Sequence, residues 1–413
     1  MSFPPAPPET PAEGLTQRSL RGGAWILSRS AFARVLGVGA VAVLARHLSP
    51  ADFGVVALAQ VLIFWISALG QAGVGSFVIL DRDEGWERRA DAAFWMNAAL
   101  TAGQVAVAAA LIPLALAFYG NSSLGPVLAV LVGVLVLQQT AVVPDALVRR
   151  RLEYRALALR DSALDVVSSA CSVGLAVAGY GVWSLVAPQV AASALRLGLT
   201  LRVARWLPSR RLGLGEWPRI FRFSGHVLGQ NVLGMALNDG DTLLVGKLFG
   251  AQALGVYNLA WQLANLVGRN VTTAVSAVAL PAMSAVQHSR ERLQAGYLRM
   301  LALLSVAVFP ALCGLFAVAG DAVALVYGPR WAASVPLLRI LVAFTLVRAV
   351  TSPTASVYAL VGRPELGTRI NLATVPVYLA AIVAGSRWGL TGVAVGVAAV
   401  RIVGGPRRSW CRC

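Results

Sequence analysis

The sequence predicts an all-α polytopic membrane protein with about twelve transmembrane helices in two six-helix bundles. Its 413 residues are 57% hydrophobic and only 13% charged, whereas about 25% of the residues of a soluble domain are charged. Apolar runs recur along the chain, and each is long enough to cross a hydrocarbon layer about 30 Å thick. An alternation of basic loops and an internal repeat then predict the number and arrangement of the helices.

Turn-forming residues separate these runs in chain order. Gly, Pro, Asn and Ser are concentrated at 119–126, 179–181, 327–331 and 362–367, which mark the ends of helices. The predicted spans are 24–45, 53–80, 91–118, 124–147, 161–179, 182–201, 223–246, 254–286, 300–326, 332–359, 368–385 and 389–404.

The spans divide the chain into five expected segments. Residues 1–22 form a disordered tail, because they are rich in proline and have neither the charged start nor the apolar centre of a signal peptide. An N-terminal bundle over 23–203 is joined by a cytoplasmic linker, 204–222, to a C-terminal bundle over 223–404. A basic cytoplasmic tail, 405–413, follows.

The basic residues lie in alternate loops. The formal net charge is +17 at pH 7, which in a soluble protein would suggest a nucleic-acid partner. Outside the spans, 25 basic residues lie on one side and four on the other, namely Arg46, Lys247, Arg330 and Arg387. Because basic loops stay in the cytoplasm, this bias predicts cytoplasmic N- and C-termini and an even number of spans. It explains the charge without nucleic acid.

One segment occurs twice at a constant offset of 201 residues. The stretches "ARHLSPADFG" at 45–54 and "GKLFGAQALG" at 246–255 both have a cation in second position and a glycine at the end. Six spans followed by six more in the same orientation form a parallel repeat, with a pseudo-two-fold axis along the membrane normal. Two packed bundles with a seam between them are the usual architecture of an alternating-access transporter. The matched pairs are Gly39 and Gly240, Arg46 and Lys247, Gly54 and Gly255, Val55 and Val256, Leu58 and Leu259, Ala59 and Ala260, and Val74 and Val275.

Several segments, in this order, resemble one known family. They are "LARHLSPADFGVVALA" at 44–59, the turn "GYGVWSLV" within 147–189, "NDGDTLLVGKLFGAQALGVYNLAWQL" at 238–263, "VPLLRILVAF" at 335–344 and "LVGRPELG" at 360–367. Over roughly residues 20–400 the chain resembles the Wzx-type polysaccharide transport family of the multidrug/oligosaccharidyl-lipid/polysaccharide (MOP) exporter superfamily.

The resemblance implies a V-shaped, MATE-like fold of twelve to fourteen helices. It also implies a flippase that carries undecaprenyl-pyrophosphate-linked oligosaccharide, a unit of O-antigen, capsule or exopolysaccharide, across the bacterial inner membrane. The implied partners of this expected monomer are its substrate, membrane lipids, and a polysaccharide polymerase and co-polymerase. Family members usually run longer, so a truncated or frame-shifted C-terminal bundle stays open as an expectation.

Arginines inside the spans are the candidate pyrophosphate ligands. A guanidinium binds phosphate in a bidentate manner and stays charged when desolvated, whereas a charge at membrane depth costs about 2.5–3.5 kcal/mol. We expect substrate contacts from Arg34, Arg269, Arg348 and Arg29. Intramembrane ion pairs with aspartate are the alternative, and Arg196 and Arg339 are expected to reach towards the interfaces.

Carboxylates inside the spans are candidates for ion coupling. Asp165, Asp239 and Asp241 could take up protons or Na⁺ during transport, or could form structural ion pairs with arginines, and both interpretations stay open. Asp241 matches a recurring aspartate of the resembled family. The nearby amides could line a glycan path or bond helix to helix; they are Gln230, Asn231, Asn238, Gln262, Asn265 and Asn270.

Two alternative functions stay in view. A MATE-type cation or drug antiporter would have an acidic or aromatic cavity, whereas basic groups outnumber acidic ones inside these spans. A membrane polymerase or ligase would need a long outer loop with catalytic residues, whereas these loops are short and His47, His226 and His288 are scattered. The four cysteines have no metal or disulfide spacing, and there is no P-loop. We therefore expect a transporter with no catalytic residues, metal or cofactor.

Overall fold

The computed structural model describes residue 33 and residues 36–70, 73–80, 85–151, 154–209, 212–285, 289–351 and 364–403. Regular structure among these residues is helical, and seven of the described helical segments are long and apolar enough to cross a membrane. The predicted all-α polytopic membrane fold is confirmed. The count of twelve spans and the division into two bundles stay predictions.

The described helices of the N-terminal half begin and end close to the predicted spans. They are α1 (Leu36–His47), α2 (Pro50–Gly70), α3 (Val74–Leu80), α4 (Trp86–Tyr119), α5 (Leu124–Thr140), α6 (Val142–Arg150), α7 (Tyr154–Val177) and α8 (Trp183–Ala204).

In the C-terminal half one long helix covers two predicted spans. The described helices are α9 (Trp217–Ala285), α10 (Arg290–Ala317), α11 (Ala319–Val326), α12 (Ser334–Thr351), α13 (Pro364–Gly385) and α14 (Gly389–Val403). The helical backbone of α9 is interrupted at Gly250, where φ is 79° and ψ is 179°. Residues with a side chain rarely adopt this positive φ, so glycine suits the break. We call residues 217–249 and 251–285 the first and second arms of α9.

Some predicted spans contain a break that divides them into two helices. The span 53–80 breaks between α2 and α3, where Gly73 has a φ of 65°. Gln104 of α4 stabilises the end of α2, because its Nε2 donates to the carbonyl oxygens of Ile66 and Ser67 at 3.1 and 2.8 Å.

A second break has a covalent cause. The predicted span 124–147 ends as α5 at Thr140 and resumes as α6 at Val142. Pro144 has no N–H to bond the carbonyl of Thr140, and its ring crowds that carbonyl, so the helix is interrupted one turn earlier. The predicted span 300–326 is also divided, at Val318.

The predicted linker 204–222 packs against α4. Trp206 is buried, and Trp95 Nε1 donates to the carbonyl oxygen of Ser209 at 2.7 Å. The hydroxyl of Ser209 donates to Asp91 Oδ2 at 2.5 Å. These contacts attach the described part of the connection to the N-terminal half.

The larger apolar core is built from both halves, and it contains residues matched by the 201-residue repeat. In the N-terminal half Val55, Leu58 and Ala59 belong to this core, and their counterparts in the C-terminal half belong to it as well. Those counterparts are Val256, Leu259 and Ala260. The repeat therefore preserves residues that pack at the seam between the halves.

The two halves meet most closely at a pair of glycines. A Cβ atom on Gly54 would lie 1.8 Å from the carbonyl oxygen of Ala251, and a Cβ atom on Gly255 would lie 1.8 Å from that of Pro50. The two contacts are equivalent in the repeat, because Gly54 and Gly255 are 201 residues apart and so are Pro50 and Ala251. We call this contact between α2 and the second arm of α9 the glycine crossing. It allows two backbones to touch because neither glycine has a side chain.

Candidate substrate cavity

A polar cavity of about 610 Å³ lies between the two halves. It is enclosed by α2, α5 and α8 from the N-terminal half and by both arms of α9. Amide, hydroxyl and carboxylate groups line it, and polar groups at membrane depth require either a protein partner or water. The described polar lining consists of Gln60, Ser67, Gln138, Gln189, Asp239, Thr242, Asn258 and Gln262, and the aromatic lining of Phe64 and Trp261.

The repeat itself forms two facing walls of this cavity. Ala57, Gln60 and Val61 line it from α2, and their counterparts at an offset of 201 residues line it from the second arm of α9. Those counterparts are Asn258, Trp261 and Gln262. Both sets begin one helical turn after the glycine crossing, so the crossing closes one end of the cavity.

Two cations bind across the seam beside the glycine crossing. Arg46, at the end of α1, donates from Nη2 to the carbonyl oxygen of Leu325. Lys247, its counterpart in the repeat, donates from Nζ to the carbonyl oxygen of Phe118 and lies 4.2 Å from the centre of the Phe118 ring. Each carbonyl belongs to the penultimate residue of a helix in the opposite half, α11 or α4. A cation is favoured there because helix C-termini carry partial negative charge and unpaired carbonyls.

Aromatic packing strengthens the same end. Trp331 Nε1 donates to the carbonyl oxygen of Ala45 at 2.8 Å, and the rings of Phe53 and Trp331 pack edge to face with centres 5.1 Å apart. Because Trp331 lies in the C-terminal half and Ala45 and Phe53 in the N-terminal half, these contacts also join the halves. We call the glycine crossing together with these cross-seam contacts the closed end.

Three stacked aromatic rings lie at the cavity wall, and one of them, Trp261, lines the cavity. Trp261 stacks on Phe344 with ring centres 5.9 Å apart and planes inclined by 14°. Tyr257 also stacks with Trp261, with ring centres 6.4 Å apart and an interplanar angle of 11°. The Tyr257 hydroxyl donates to Asp241 Oδ2 at 2.7 Å, and the amide of Thr242 donates to Asp241 Oδ1 at 2.9 Å.

The structure brings two predicted carboxylates to this region. Asp239 lines the cavity and is the charged residue among the described lining residues. Asp241 is buried behind the wall and bound by Tyr257. Asp165 is half-buried on α7, which contributes no residue to the described lining. Their roles in ion coupling stay predictions.

One predicted arginine can be located by its contact. Arg348 Nη1 donates to Asn265 Oδ1 at 3.2 Å, and Asn265 lies one turn beyond Trp261 on the cavity-lining arm of α9. The guanidinium is therefore attached to the wall next to the cavity. Arg29 and Arg34 lie outside the described residues, and Arg269 is described only by its helical backbone. Pyrophosphate binding by these arginines stays a prediction.

Sequence reasoning missed a buried ionic network in the N-terminal half. Arg160 pairs through Nη1 with Asp145 Oδ1 and through Nη2 with Asp161 Oδ1, the latter at 2.7 Å. Arg196 Nη2 pairs with Asp145 Oδ2 at 2.7 Å, and Arg160 Nη1 also donates to Thr200 Oγ1 at 2.7 Å. The expectation that Arg196 reaches towards the membrane interface omits these bonds. A partial signal was present, since residues 196 and 200 share one helix face.

Known proteins with related sequences span most of this chain. The lipopolysaccharide biosynthesis protein WzxC of Escherichia coli is 24% identical over 94% of this chain and 80% of its own length. The succinoglycan biosynthesis transport protein ExoT of Rhizobium meliloti is 27% identical over 73% of this chain and 61% of its length. The teichuronic acid biosynthesis protein TuaB of Bacillus subtilis is 25% identical over 70% of this chain and 60% of its own length. The matches thus span less than two thirds of ExoT and TuaB.

Solved structures share the fold at lower identity. The lipid II flippase MurJ, in an inward closed conformation, superposes with a TM-score of 0.72 at 14% identity, over 91% of this chain and 84% of its own. An inward-facing multidrug resistance MATE family transporter of the MOP superfamily gives a TM-score of 0.67 at 16% identity, over 90% and 92%. These likenesses concern the fold alone.

The family match covers the cavity and the closed end together. A family model described as polysaccharide biosynthesis protein matches residues 43–336, which include α2 to α11 and therefore nearly all of the described cavity wall. The chain belongs to the polysaccharide biosynthesis protein family.

Proposed function

We propose that this protein is a flippase for undecaprenyl-pyrophosphate-linked oligosaccharide in the bacterial inner membrane. The observation that carries the proposal is the polar cavity between two halves related by the repeat, shut at one end by the closed end. A glycan needs such a wet, hydrogen-bonding chamber at membrane depth, while its lipid tail can stay in the bilayer. Family membership and the named relatives support the same substrate class.

Transport proceeds by alternating access, without a chemical reaction. With the predicted cytoplasmic termini, the closed end lies on the outer side and the cavity receives substrate from the cytoplasm. The pyrophosphate is held by guanidinium groups, with Arg348 beside the wall and Arg29, Arg34 and Arg269 as further ligands. Rotation of the halves about the seam opens the closed end, and the exported unit passes to a polymerase. Proton or Na⁺ uptake at Asp239, Asp241 or Asp165 is a source of driving force.

Complementation tests whether Arg348 and Arg269 bind the pyrophosphate. In a host strain lacking this gene, the wild-type chain restores surface polysaccharide, whereas Arg348→Gln and Arg269→Gln leave lipid-linked oligosaccharide inside the cell. Arg339→Gln is the matched control on α12, because Arg339 is exposed and its guanidinium lies 5.9 Å from the ring of Phe316. Wild-type export by well-expressed Arg348→Gln and Arg269→Gln proteins would disprove pyrophosphate binding by these two arginines. Unchanged export after deletion of the gene would disprove the flippase.

One observation favours a second candidate, a cation antiporter. Asp239 is the charged residue among the described lining residues, and Trp261 and Phe64 add aromatic surface. Proteoliposomes loaded with ethidium distinguish the two functions under an imposed pH or Na⁺ gradient. The flippase leaves the dye in place, whereas an antiporter expels it and loses this activity in Asp239→Asn.

A further inference from the structure

The geometry points to Trp261 as the platform on which one sugar ring of the carried glycan stacks, with the surrounding amides and Asp239 binding its hydroxyl groups. This inference rests on the proposed flippase function and adds a glycan-binding subsite within the cavity. It assigns the sugar to the described wall and leaves the pyrophosphate to the arginines.

The three stacked rings differ in their exposure. Phe344 and Tyr257 are only 2% and 1% exposed, whereas Trp261 is half-buried and lines the cavity. Trp261 is therefore the member of the stack that presents surface to a ligand. Stacking with Phe344 and Tyr257 holds the Trp261 ring in one orientation. A fixed aromatic face attracts weakly positive C–H groups, which cover one face of many pyranose rings.

Polar side chains line the cavity around this platform. Asn258 and Gln262 flank Trp261 on its own helix, while Asp239 and Thr242 come from the first arm of α9 and Gln60 from α2. These side chains supply both donors and acceptors, and a sugar hydroxyl needs both. A few polar groups around an apolar surface give a pocket its orientation and specificity. A neutral, hydroxyl-rich ring matches this lining better than a diphosphate, which the carboxylate of Asp239 would repel.

Asp241 acts as a positioning residue for this platform. Its carboxylate is 1% exposed and accepts the hydroxyl bond of Tyr257. Asp241 lies on the first arm of α9 and Tyr257 on the second, so this bond crosses the break at Gly250 and holds the two arms at a fixed angle. The stack that begins at Tyr257 then fixes Trp261. Asp241, which matches a recurring aspartate of the family, thereby affects sugar binding indirectly, through the rings of Tyr257 and Trp261.

Ligand-detected NMR on the purified chain in detergent tests the platform. The probes are the methyl glycosides of glucose, galactose, mannose, rhamnose and N-acetylglucosamine. We expect saturation transfer to at least one of them, strongest at protons of one ring face. Trp261→Leu weakens this binding roughly tenfold, whereas Trp261→Phe retains most of it. Trp388→Leu is the control, because Trp388 is 73% exposed and does not belong to the described lining.

Two results of the binding measurement overturn the platform: equal affinity in the wild type and Trp261→Leu, or binding of none of the five glycosides by the wild type. Export measured in the deletion strain distinguishes failure of the platform from failure of the proposed flippase function. Restored export by Trp261→Leu rejects the platform alone, whereas export that never needed the gene rejects the flippase.

The positioning role has its own readout. Tyr257→Phe and Asp241→Leu each weaken glycoside binding, and the combined variant weakens it no further, because both changes remove the same bond. A merely structural role would lower the melting temperature of these variants while leaving the affinity of the folded protein unchanged. That result would overturn the assignment of Asp241.

Discussion

At the scale of single residues, Asp145 is the centre of a buried network of ion pairs. One buried carboxylate binds two guanidinium groups, those of Arg160 and Arg196. Arg160 in turn binds Asp161 and Thr200. The network joins α6, α7 and α8, three helices that the sequence connects only through loops.

Neutralising Asp145 should therefore destabilise the protein strongly. In Asp145→Asn, Arg160 stays buried with one carboxylate fewer, and loss of one partner from a buried pair costs about 3–5 kcal/mol. We expect a lower free energy of unfolding and a clear fall in the melting temperature of the purified protein in detergent. Asp321→Asn is the matched control, since Asp321 is exposed on α11. Equal melting of Asp145→Asn and the control would contradict the network.

The limits of sequence reasoning are clearest for such contacts. The sequence shows that Arg196 and Thr200 share a helix face, but Asp145 lies 51 residues before Arg196 along the chain. Hydropathy and periodicity carry no information on which faces of distant helices meet. The bond between Tyr257 and Asp241 was missed for the same reason, although both residues lie in the segment that shows the family resemblance.

At the scale of helices, hydropathy predicted the apolar segments well because span length and loop composition are local properties. The breaks were not predicted, because they depend on single groups. Pro144 removes one donor from the span 124–147, and Gly73 and Gly250 adopt positive φ values. The repeat predicted which positions would be equivalent, but only the structure shows that the two copies contact each other.

The glycine crossing gives a prediction for helix packing. Gly54→Ala places a Cβ atom 1.8 Å from a main-chain oxygen, and overpacking of this kind costs about 1–3 kcal/mol or more. We expect a lower melting temperature, and Gly255→Ala should behave alike because its contact is equivalent. Gly133→Ala on α5 is the control, because a Cβ atom there meets nothing within 4 Å. Wild-type melting of both crossing variants would show that the helices do not touch in this way.

At the scale of the whole molecule, each half holds the end of a helix in the other half. Arg46 binds the end of α11 and Lys247 the end of α4. A transporter that rocks about its seam has to release both bonds to open the closed end. A covalent link across this end should then arrest export while leaving the fold intact.

Crosslinking tests this arrest. In a chain freed of its own cysteines, Phe118→Cys and Lys247→Cys place two exposed thiols in opposite halves, where the native side chains are in contact. We expect a short, cleavable bis-maleimide to stop export and its cleavage to restore it. The control pair, Tyr180→Cys and Trp183→Cys, lies within one half and should export normally when linked. Full export by the crosslinked Phe118–Lys247 pair would exclude movement at this end.

The closed end is made largely of main-chain atoms. Both glycines meet carbonyl oxygens, and both cations and Trp331 donate to carbonyl oxygens, so the partners are groups that every amino acid possesses. Lineages can therefore exchange the side chains of the residues that supply those main-chain carbonyls without losing the closed end. The cavity, by contrast, presents side chains to its substrate. New substrates can therefore be accommodated by changes in the lining residues while the closed end is inherited unchanged.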